Sequence, residues 1–180
     1  MIFFTADTHF NHQNIIQYCQ RPFAANATEM NETLISNWNA VVQRSDLVYH
    51  IGDFGFGDLS QILPRLNGQK ILILGDHDKS AIKFSQYFAK ITPLLKIEVD
   101  VNTVWRKITL CHYSMRVWAK SHYNEWHLFG HSHGHLEPFG KSFDVGVDYN
   151  NFRPISLTQV VEKMSTLPDN FNCLPQFKGR

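Results

Sequence analysis

The chain has 180 residues, which is enough for one domain with a sizeable core and too short for two comfortable ones. With 43% hydrophobic and 18% charged residues, it has the composition of an ordinary globular protein. A formal net charge of +1 excludes a general basic field for nucleic acid and a polybasic membrane patch. The three cysteines form no disulfide framework, and no apolar run has the length of a membrane span. We therefore expect a cytoplasmic protein without a membrane partner.

Five short apolar runs predict buried strands, at residues 2–4, 47–51, 71–74, 108–111 and 126–129. Regions 93–107 and 143–147 predict further strands. Helical spacing predicts a helix around residues 34–42 behind a Thr28 cap, a shorter one through 81–88, and one around 157–164 capped by Ser156. This alternation predicts one α/β domain over residues 1–180, with a largely parallel first half, an antiparallel second half and a loose tail after Leu167.

Each of the five apolar runs is followed by a carboxylate, an imidazole or both. The residues concerned are Asp7 and His9, then Asp53, then Asp76, His77 and Asp78, then His112, then His131 and His133. The carboxyl ends of strands in an α/β sheet share one edge, so these side chains are expected to meet there. Mixed oxygen and imidazole ligands suit Mn, Fe, Zn and related divalent ions rather than calcium. The glycines before three of these groups, Gly52, Gly75 and Gly130, allow a sharp exit from a strand.

Other histidines have plainer interpretations. His50, His122 and His127 are interpreted as structural or surface residues, because a lone histidine at a strand end or among aromatic residues is usually a packing residue. His12 and His135 lie near the predicted site but match no ligand spacing, so contact with substrate or metal remains a hypothesis for both. In the stretch "GHSHGH" at residues 130–135, two histidines are therefore predicted ligands and the third is an uncertain neighbour.

In order and spacing, these motifs resemble those of the calcineurin-like metallophosphoesterases. The family signature D-x-H, G-D, G-N-H-D/E, a lone His and G-H-x-H is matched by "DTH", "GD", "GDHD", His112 and "GHSH". The likeness is to the small bacterial and phage-borne members. It implies a two-layered mixed β-sheet sandwich flanked by helices, with a dinuclear metal centre at the strand ends. The family's Asn is Asp76 here, which changes the charge of the site.

The resemblance also implies roles for single residues. Asp7, His9 and His133 would hold one metal, while Asp76, His112 and His131 would hold the other, and Asp53 would bridge the two. His77 would act as the acid or stabilise the transition state, oriented by Asp78. The expected ions are two divalent metals, manganese first, with Fe, Zn, Ni or Co as alternatives.

The chemistry of such a site predicts hydrolysis of a phosphomonoester or phosphodiester. Two divalent ions can clamp the attacking and leaving oxygens, and a hydroxide that bridges them can attack phosphorus. The expected partner is a phosphorylated small molecule or nucleotide; net charge does not indicate nucleic acid. Arg21, Arg116 and Arg153 are candidate phosphate contacts. A metallo-β-lactamase-like hydrolase, with its motif H-x-H-x-D-H, is disfavoured because Gly134 and His135 end "HSHGH" and the required Asp is absent. A catalytically weakened binding or scaffold protein on the same fold remains the alternative.

Overall fold

A computed structural model describes residues 1–24 and 26–179 of the chain. Its first sheet contains five strands in the order β4-β3-β2-β1-β9. The strands are β1 (Ile2–Thr5), β2 (Leu47–Ile51), β3 (Gln69–Ile73), β4 (Phe88–Thr92) and β9 (Ile155–Ser156). Strands β1 to β4 are parallel to one another and β9 is antiparallel to β1. The predicted parallel first half is therefore confirmed.

The second sheet contains four strands in the order β5-β6-β7-β8. They are β5 (Leu95–Val101), β6 (Val104–Leu110), β7 (Trp126–Phe129) and β8 (Ser142–Asp144). Only β5 and β6 pair as an antiparallel hairpin, whereas β6, β7 and β8 are parallel. The prediction of an antiparallel second half was therefore wrong for β7 and β8, because the connections after β6 and β7 cross over rather than turn back.

The described residues also form four α-helices, which are α1 (Gln13–Tyr18), α2 (Ala27–Val41), α3 (Lys79–Lys83) and α4 (Leu157–Thr166), and four short 3₁₀ helices. The cap of α2 is Asn26 rather than Thr28, since the Asn26 side chain accepts hydrogen bonds from the Thr28 and Glu29 backbone amides. The α4 capping box confirms the predicted Ser156 cap. Helix α3 is shorter than predicted, because Phe88 begins strand β4.

The two faces of the first sheet bury different apolar clusters, because successive strand residues point to opposite faces. Phe3 and Val48 pack against the helices, in a cluster that includes Trp38 of α2. Phe4 and Tyr49 point to the other side and pack against the second sheet and α4. The protein is therefore an α/β structure of two mixed sheets flanked by helices.

The C-terminal segment is packed rather than loose, which corrects the prediction for residues after Leu167. The buried Asn170 side chain donates hydrogen bonds to the carbonyls of Ser121 and Glu125, both at 3.0 Å. Cys173 is also buried. Across the described ranges, every helix is too short or too polar to traverse a lipid bilayer.

Candidate metal centre

The predicted ligands meet at one edge of the structure, where five strands end. Two groups have ligand atoms that all lie within 4.8 Å of one another and could hold a metal ion. The first contains Asp7 and His9, which follow β1, and His133, which follows β7. The second contains Asp53, His112 and His131, which follow β2, β6 and β7. The loop after β7 therefore contributes one histidine to each group.

Asp53 connects the two groups. Its Oδ2 atom lies 3.5 Å from His9 Nε2 in the first group and 3.5 Å from His112 Nε2 in the second. Its Oδ1 atom accepts a hydrogen bond from the His77 backbone amide at 2.9 Å. One carboxylate oxygen is thus fixed by the loop after β3 while the other faces both histidines.

Asp76 lies at the exposed side of the second group. Its Oδ2 atom is 3.8 Å from His131 Nδ1, so it is close enough to take part in the same site. Its Oδ1 atom accepts a hydrogen bond from the Tyr113 hydroxyl, which raises the pKa of Tyr113 to about 12. Tyr113 was not predicted, because a tyrosine beside a ligand histidine has no spacing signal of its own.

Several ligands adopt a backbone conformation that L-amino acids rarely use. The residues with positive φ are Asp7 (57°), His9 (49°), Asp53 (57°), His131 (68°) and His133 (50°). Such angles are uncommon outside glycine and cluster at functional sites, where surrounding contacts hold them. Five of the seven predicted ligands therefore carry local strain at one edge.

Glycines let the strand-end loops approach the ligands closely. A Cβ atom at Gly75 would lie 2.5 Å from Asp53 Oδ1 and 2.9 Å from His112 Nε2. Gly52 has φ +87°, and a Cβ there would lie 2.4 Å from His112 Nδ1. Both positions require glycine because a side chain would collide with Asp53 or His112. This adds to the sharp strand exit that the sequence predicted at these glycines.

The sequence interpretation missed Asp148, the carboxylate behind the first group. Its Oδ2 atom accepts a hydrogen bond from His133 Nδ1 at 2.8 Å, which leaves Nε2 of that ring available as a ligand. Cys19 also lies close enough to form a third possible ligand group with His133 and Asp148. Asp148 and Cys19 lack metal-ligand spacing in sequence, so only the fold reveals them.

Arg21 is not an open phosphate contact, which corrects its assignment. The side chain is buried and donates to both carboxylate oxygens of Asp148 at 2.8 Å. It also donates to the carbonyls of Asp7 and Thr8 and to the Met30 sulfur. Because its donors are all used within the protein, Arg21 positions Asp148 and the backbone after β1.

Asp78 holds two loops together. The resemblance implies that it orients His77, but its described contacts are with backbone. Its buried carboxylate accepts from the amides of Asp53 at 3.0 Å, Phe54 at 2.8 Å and Gly75 at 2.6 Å. It therefore ties the ends of β2 and β3 together. Burial is also the main reason that its pKa is raised.

Charge interactions shift the pKa values of the first group. Burial raises the pKa of Asp7 to about 7, although His112 and His133 oppose this effect. Burial alone would lower the pKa of His133, but its neighbours, with the hydrogen-bonded Asp148 first, raise it to about 10. Without a metal, the His133 ring is therefore held as a cation between carboxylates.

The second group shows the same pattern. Burial opposes the charged form of His112, yet Asp53 and Asp7 together raise its pKa to about 9. Burial would raise the pKa of Asp53, but His112 nearby holds it well below its usual range. His9, in the first group, differs from these histidines, because burial lowers its pKa.

The unpaired ring nitrogens are consistent with metal ligation. Both ring nitrogens of His9 and Nε2 of His112 are buried and have no hydrogen-bond partner among the described residues. Buried polar atoms are nearly always paired, so these nitrogens require an explanation such as an ion. The surrounding set of imidazoles and carboxylates matches the preference of Mn, Fe and Zn.

The remaining candidates lie at the rim or away from the site. His77 is exposed, with its ring centre 5.8 Å from that of His9 and 5.2 Å from that of Phe56. His12 packs on Phe56, with ring centres 4.4 Å apart. The Arg116 guanidinium stacks 4.8 Å from the Phe139 ring centre, while His135 and Arg153 are exposed.

The structural interpretation of His50 and His127 is supported. His50 is fully buried, its Nε2 atom lies 2.9 Å from the Thr8 hydroxyl and its ring packs on Trp38 and Phe54. Its Nδ1 atom is buried without a hydrogen-bond partner among the described residues, but it belongs to no ligand group. His127 is also fully buried and contacts the carbonyls of Thr109 and Tyr113. Neither belongs to a described ligand group.

Comparison with known proteins gives the family of the chain. No family model matches the sequence. The uncharacterized protein MJ1445 of Methanocaldococcus jannaschii is 36% identical over 173 residues, which cover 89% of each chain. The chain belongs to the MJ1445 family. Similarity to the gene 66 protein of Mycobacterium phage L5 is more limited, at 33% identity over 81 residues, or 42% of this chain and 38% of that protein.

A solved structure supports the fold of the MJ1445 family. The crystal structure of AQ665, a protein of unknown function from Aquifex aeolicus, aligns with a TM-score of 0.69 over 91% of this chain and 98% of that chain. At 24% identity, this likeness extends to the fold alone. The three relatives carry names that state no activity, so function has to be argued from the site.

Proposed function

We propose that the protein is a dinuclear-metal-dependent phosphoesterase with a calcineurin-like fold. One observation carries the proposal: two three-residue ligand groups lie side by side, and one oxygen of Asp53 lies 3.5 Å from a histidine of each. A shared carboxylate between two groups of imidazole and carboxylate donors can hold a pair of divalent ions. The strained backbone and unpaired imidazoles at the same edge support this proposal.

Asp7, His9 and His133 would hold one ion, while Asp76, His112 and His131 would hold the second, with Asp53 between them. Manganese fits this oxygen and nitrogen donor set; Fe, Zn, Ni and Co are alternatives. When bound, the pair would supply Lewis-acid stabilisation of phosphoryl charge and an acidified water.

The protein's own residues would supply orientation and proton transfer. His77 is exposed beside His9 and lies in none of the ligand groups, so its ring is free to donate a proton to the leaving oxygen. Asp78 keeps the loops that carry Asp53 and His77 in register through its three backbone contacts. Asp148 fixes the His133 ring from behind.

The rim favours a phosphorylated small molecule or nucleotide. Phe56, His12 and His77 form a group of rings next to His9, and flat apolar groups can stack on such rings. Arg116 and Arg153 remain the exposed arginines for phosphate contact, since Arg21 is committed to Asp148. The leaving group would then lie against Phe56, beside the proposed acid His77.

A matched pair of variants tests the proposal. Asp53→Asn should lose both metals together and lose hydrolysis of bis(p-nitrophenyl) phosphate and p-nitrophenyl phosphate in Mn²⁺. Asp58→Asn makes the same change at an exposed carboxylate and should behave as wild type. Metal content is measured by elemental analysis beside turnover. Two full metal equivalents in Asp53→Asn would contradict the bridging role, and bound metal without hydrolysis of any ester would favour the binding or scaffold alternative.

A further inference from the structure

Strand β5 is an open edge of the second sheet. It pairs with β6 on one side and has no strand partner on the other side within the described part of the chain. The hairpin turn at Asn102 and Thr103 has two positive φ angles, 52° and 69°, as a type I′ turn requires. Such a two-residue turn makes Val101 and Val104 a hydrogen-bonded pair. The backbone groups of Lys96, Glu98 and Asp100 therefore point away from β6.

The two faces of β5 differ in chemistry. Lys96, Glu98 and Asp100 are exposed on the outer face. Leu95 and Ile97 are only half-buried and pack at the margin of the cluster between the sheets. An added strand would satisfy the free backbone groups and cover these apolar side chains at the same time.

We propose that β5 pairs antiparallel with β5 of a second copy of this chain, about a two-fold axis at Ile97. This inference concerns assembly and does not depend on the proposed function. In a two-fold strand pair, residues on one face oppose one another. With the axis at Ile97, Lys96 lies opposite Glu98 of the second copy and Glu98 lies opposite its Lys96. The two sheets then form one continuous sheet of eight strands.

The charges of β5 favour the register with the axis at Ile97 over the two registers in which the axis is shifted by one residue. An axis at Glu98 would place Glu98 opposite Glu98, and an axis at Lys96 would place Lys96 opposite Lys96. Like charges directly opposite one another destabilise a strand pair, whereas opposite charges stabilise it. Glu98 already forms an ion pair with Lys107 of β6 at 3.1 Å. In the proposed register each Glu98 therefore lies between two lysines, one from each copy.

The sequence of β5 does not guard the edge against pairing. Proteins protect exposed edges with proline, bulges or charged side chains, which repel a partner strand when they oppose like charges. Strand β5 contains no proline, its pairing with β6 is regular over seven residues, and its outer-face charges alternate in sign. These features leave the edge complementary to itself.

Two charge reversals, tested singly and mixed, examine the proposal. In the proposed register, Lys96→Glu places two acidic side chains opposite each other on both sides of the two-fold axis. Glu98→Lys places two lysines opposite each other at the same positions. Each variant alone should weaken the dimer by about tenfold or more. Mixed in equal amounts, they should form a heterodimer, because every pair opposed between the two copies is then of opposite sign; the contact with Lys107 within the Glu98→Lys chain is unfavourable with or without a partner. Light scattering after size-exclusion chromatography reports the mass against the 20.9 kDa chain.

Asp100→Lys is the matched control. In the proposed register Asp100 lies opposite Leu94 of the second copy, so reversing its charge should leave the dimer unchanged. If the two-fold axis were at Glu98, Asp100 would lie opposite Lys96 of the second copy, and the same variant would weaken the dimer. Circular dichroism and thermal unfolding of each variant check that the fold is kept. A monomeric wild type at its highest attainable concentration would overturn the proposal. Dimers of both single variants as stable as the wild type, or no heterodimer on mixing, would do the same.

Discussion

His77 is the proposed acid and lies outside the candidate ligand groups. It is exposed and its ring packs near His9 and Phe56. His77→Ala should therefore lower turnover about a hundredfold or more, as removal of an acid does, while metal content stays intact. The loss should be larger for esters of weakly acidic alcohols than for p-nitrophenyl esters. An equal loss for both ester types would argue against proton donation.

Asp148 should control the affinity of the first metal group without touching the metal. It accepts the His133 Nδ1 hydrogen and binds Arg21 through both oxygens. Asp148→Asn weakens this orientation, so we expect about 10- to 100-fold weaker Mn²⁺ binding. Calorimetric titration of the variant beside Asp58→Asn measures the effect. An unchanged Mn²⁺ affinity in Asp148→Asn would mean that the hydrogen bond from Asp148 does not orient His133 for metal binding.

Asp76 adds a negative charge where the resembling family has Asn. Asp76→Asn should weaken metal retention, raise phosphate affinity and move the rising limb of the pH–rate profile to lower pH, since one anion is removed from the site. Tyr113 can still donate to the new amide oxygen, so the loop contact is preserved. Turnover of both proteins on one ester across pH, at saturating Mn²⁺, decides the matter. A slower Asn variant at every pH would refute the charge argument.

At the residue scale, the sequence predicted which candidate ligands would cluster but not the residues that support them. The seven predicted ligands share residue type and position at strand ends, and the structure brings them to one edge. Asp148 and Tyr113 are single residues in loops, so no spacing marks them. Arg21 was assigned to phosphate because sequence does not reveal which arginine is buried against a carboxylate.

At the element scale, apolar runs located the strands well. Residues 47–51 and 126–129 match β2 and β7 without any shift. Strand direction in the second sheet was predicted wrongly, because the scarcity of helices suggested hairpins. The connections over residues 111–125 and 130–141 are long enough for the crossovers that make β6, β7 and β8 parallel. The position of the α2 cap depended on loop geometry at Asn26, which periodicity does not encode.

The packing of the strand ends gives an element-scale prediction. Gly75 lies where the end of β3 meets the Asp53 loop, and a Cβ there would be 2.5 Å from Asp53 Oδ1. Gly75→Ala should therefore displace Asp53 and lower the content of both metals. Gly57→Ala is the control, because a Cβ at Gly57 meets nothing within 4 Å and its φ of +63° adds only backbone strain. Gly75 has no positive φ, so equal metal loss in the two variants would contradict the contact between the added Cβ and Asp53 as the cause.

At the scale of the whole molecule, metal binding and stability should be linked through protons. In the metal-free fold, the pKa of His112 is raised to about 9 and that of His133 to about 10 by nearby carboxylates. An unfolded imidazole titrates near 6.5. At a pH between 6.5 and the raised pKa of each histidine, the folded state keeps a proton that the unfolded state has released. The free energy of unfolding contributed by these two groups is therefore complete below pH 6.5 and falls as the pH rises toward 9 and 10.

Metal ions bind neutral imidazole, so Mn²⁺ should displace these protons and restore the stability lost at high pH. We expect the difference in Tm between Mn²⁺ and EDTA samples to grow as the pH rises from 6.5 to 9. Calorimetric titration in two buffers of different ionisation enthalpy should also show proton release at pH 7.5, and less of it in Asp148→Asn, where the His133 pKa is no longer raised by that carboxylate. A Tm difference that is constant with pH, together with no proton release, would mean that Mn²⁺ binds elsewhere than at His112 and His133.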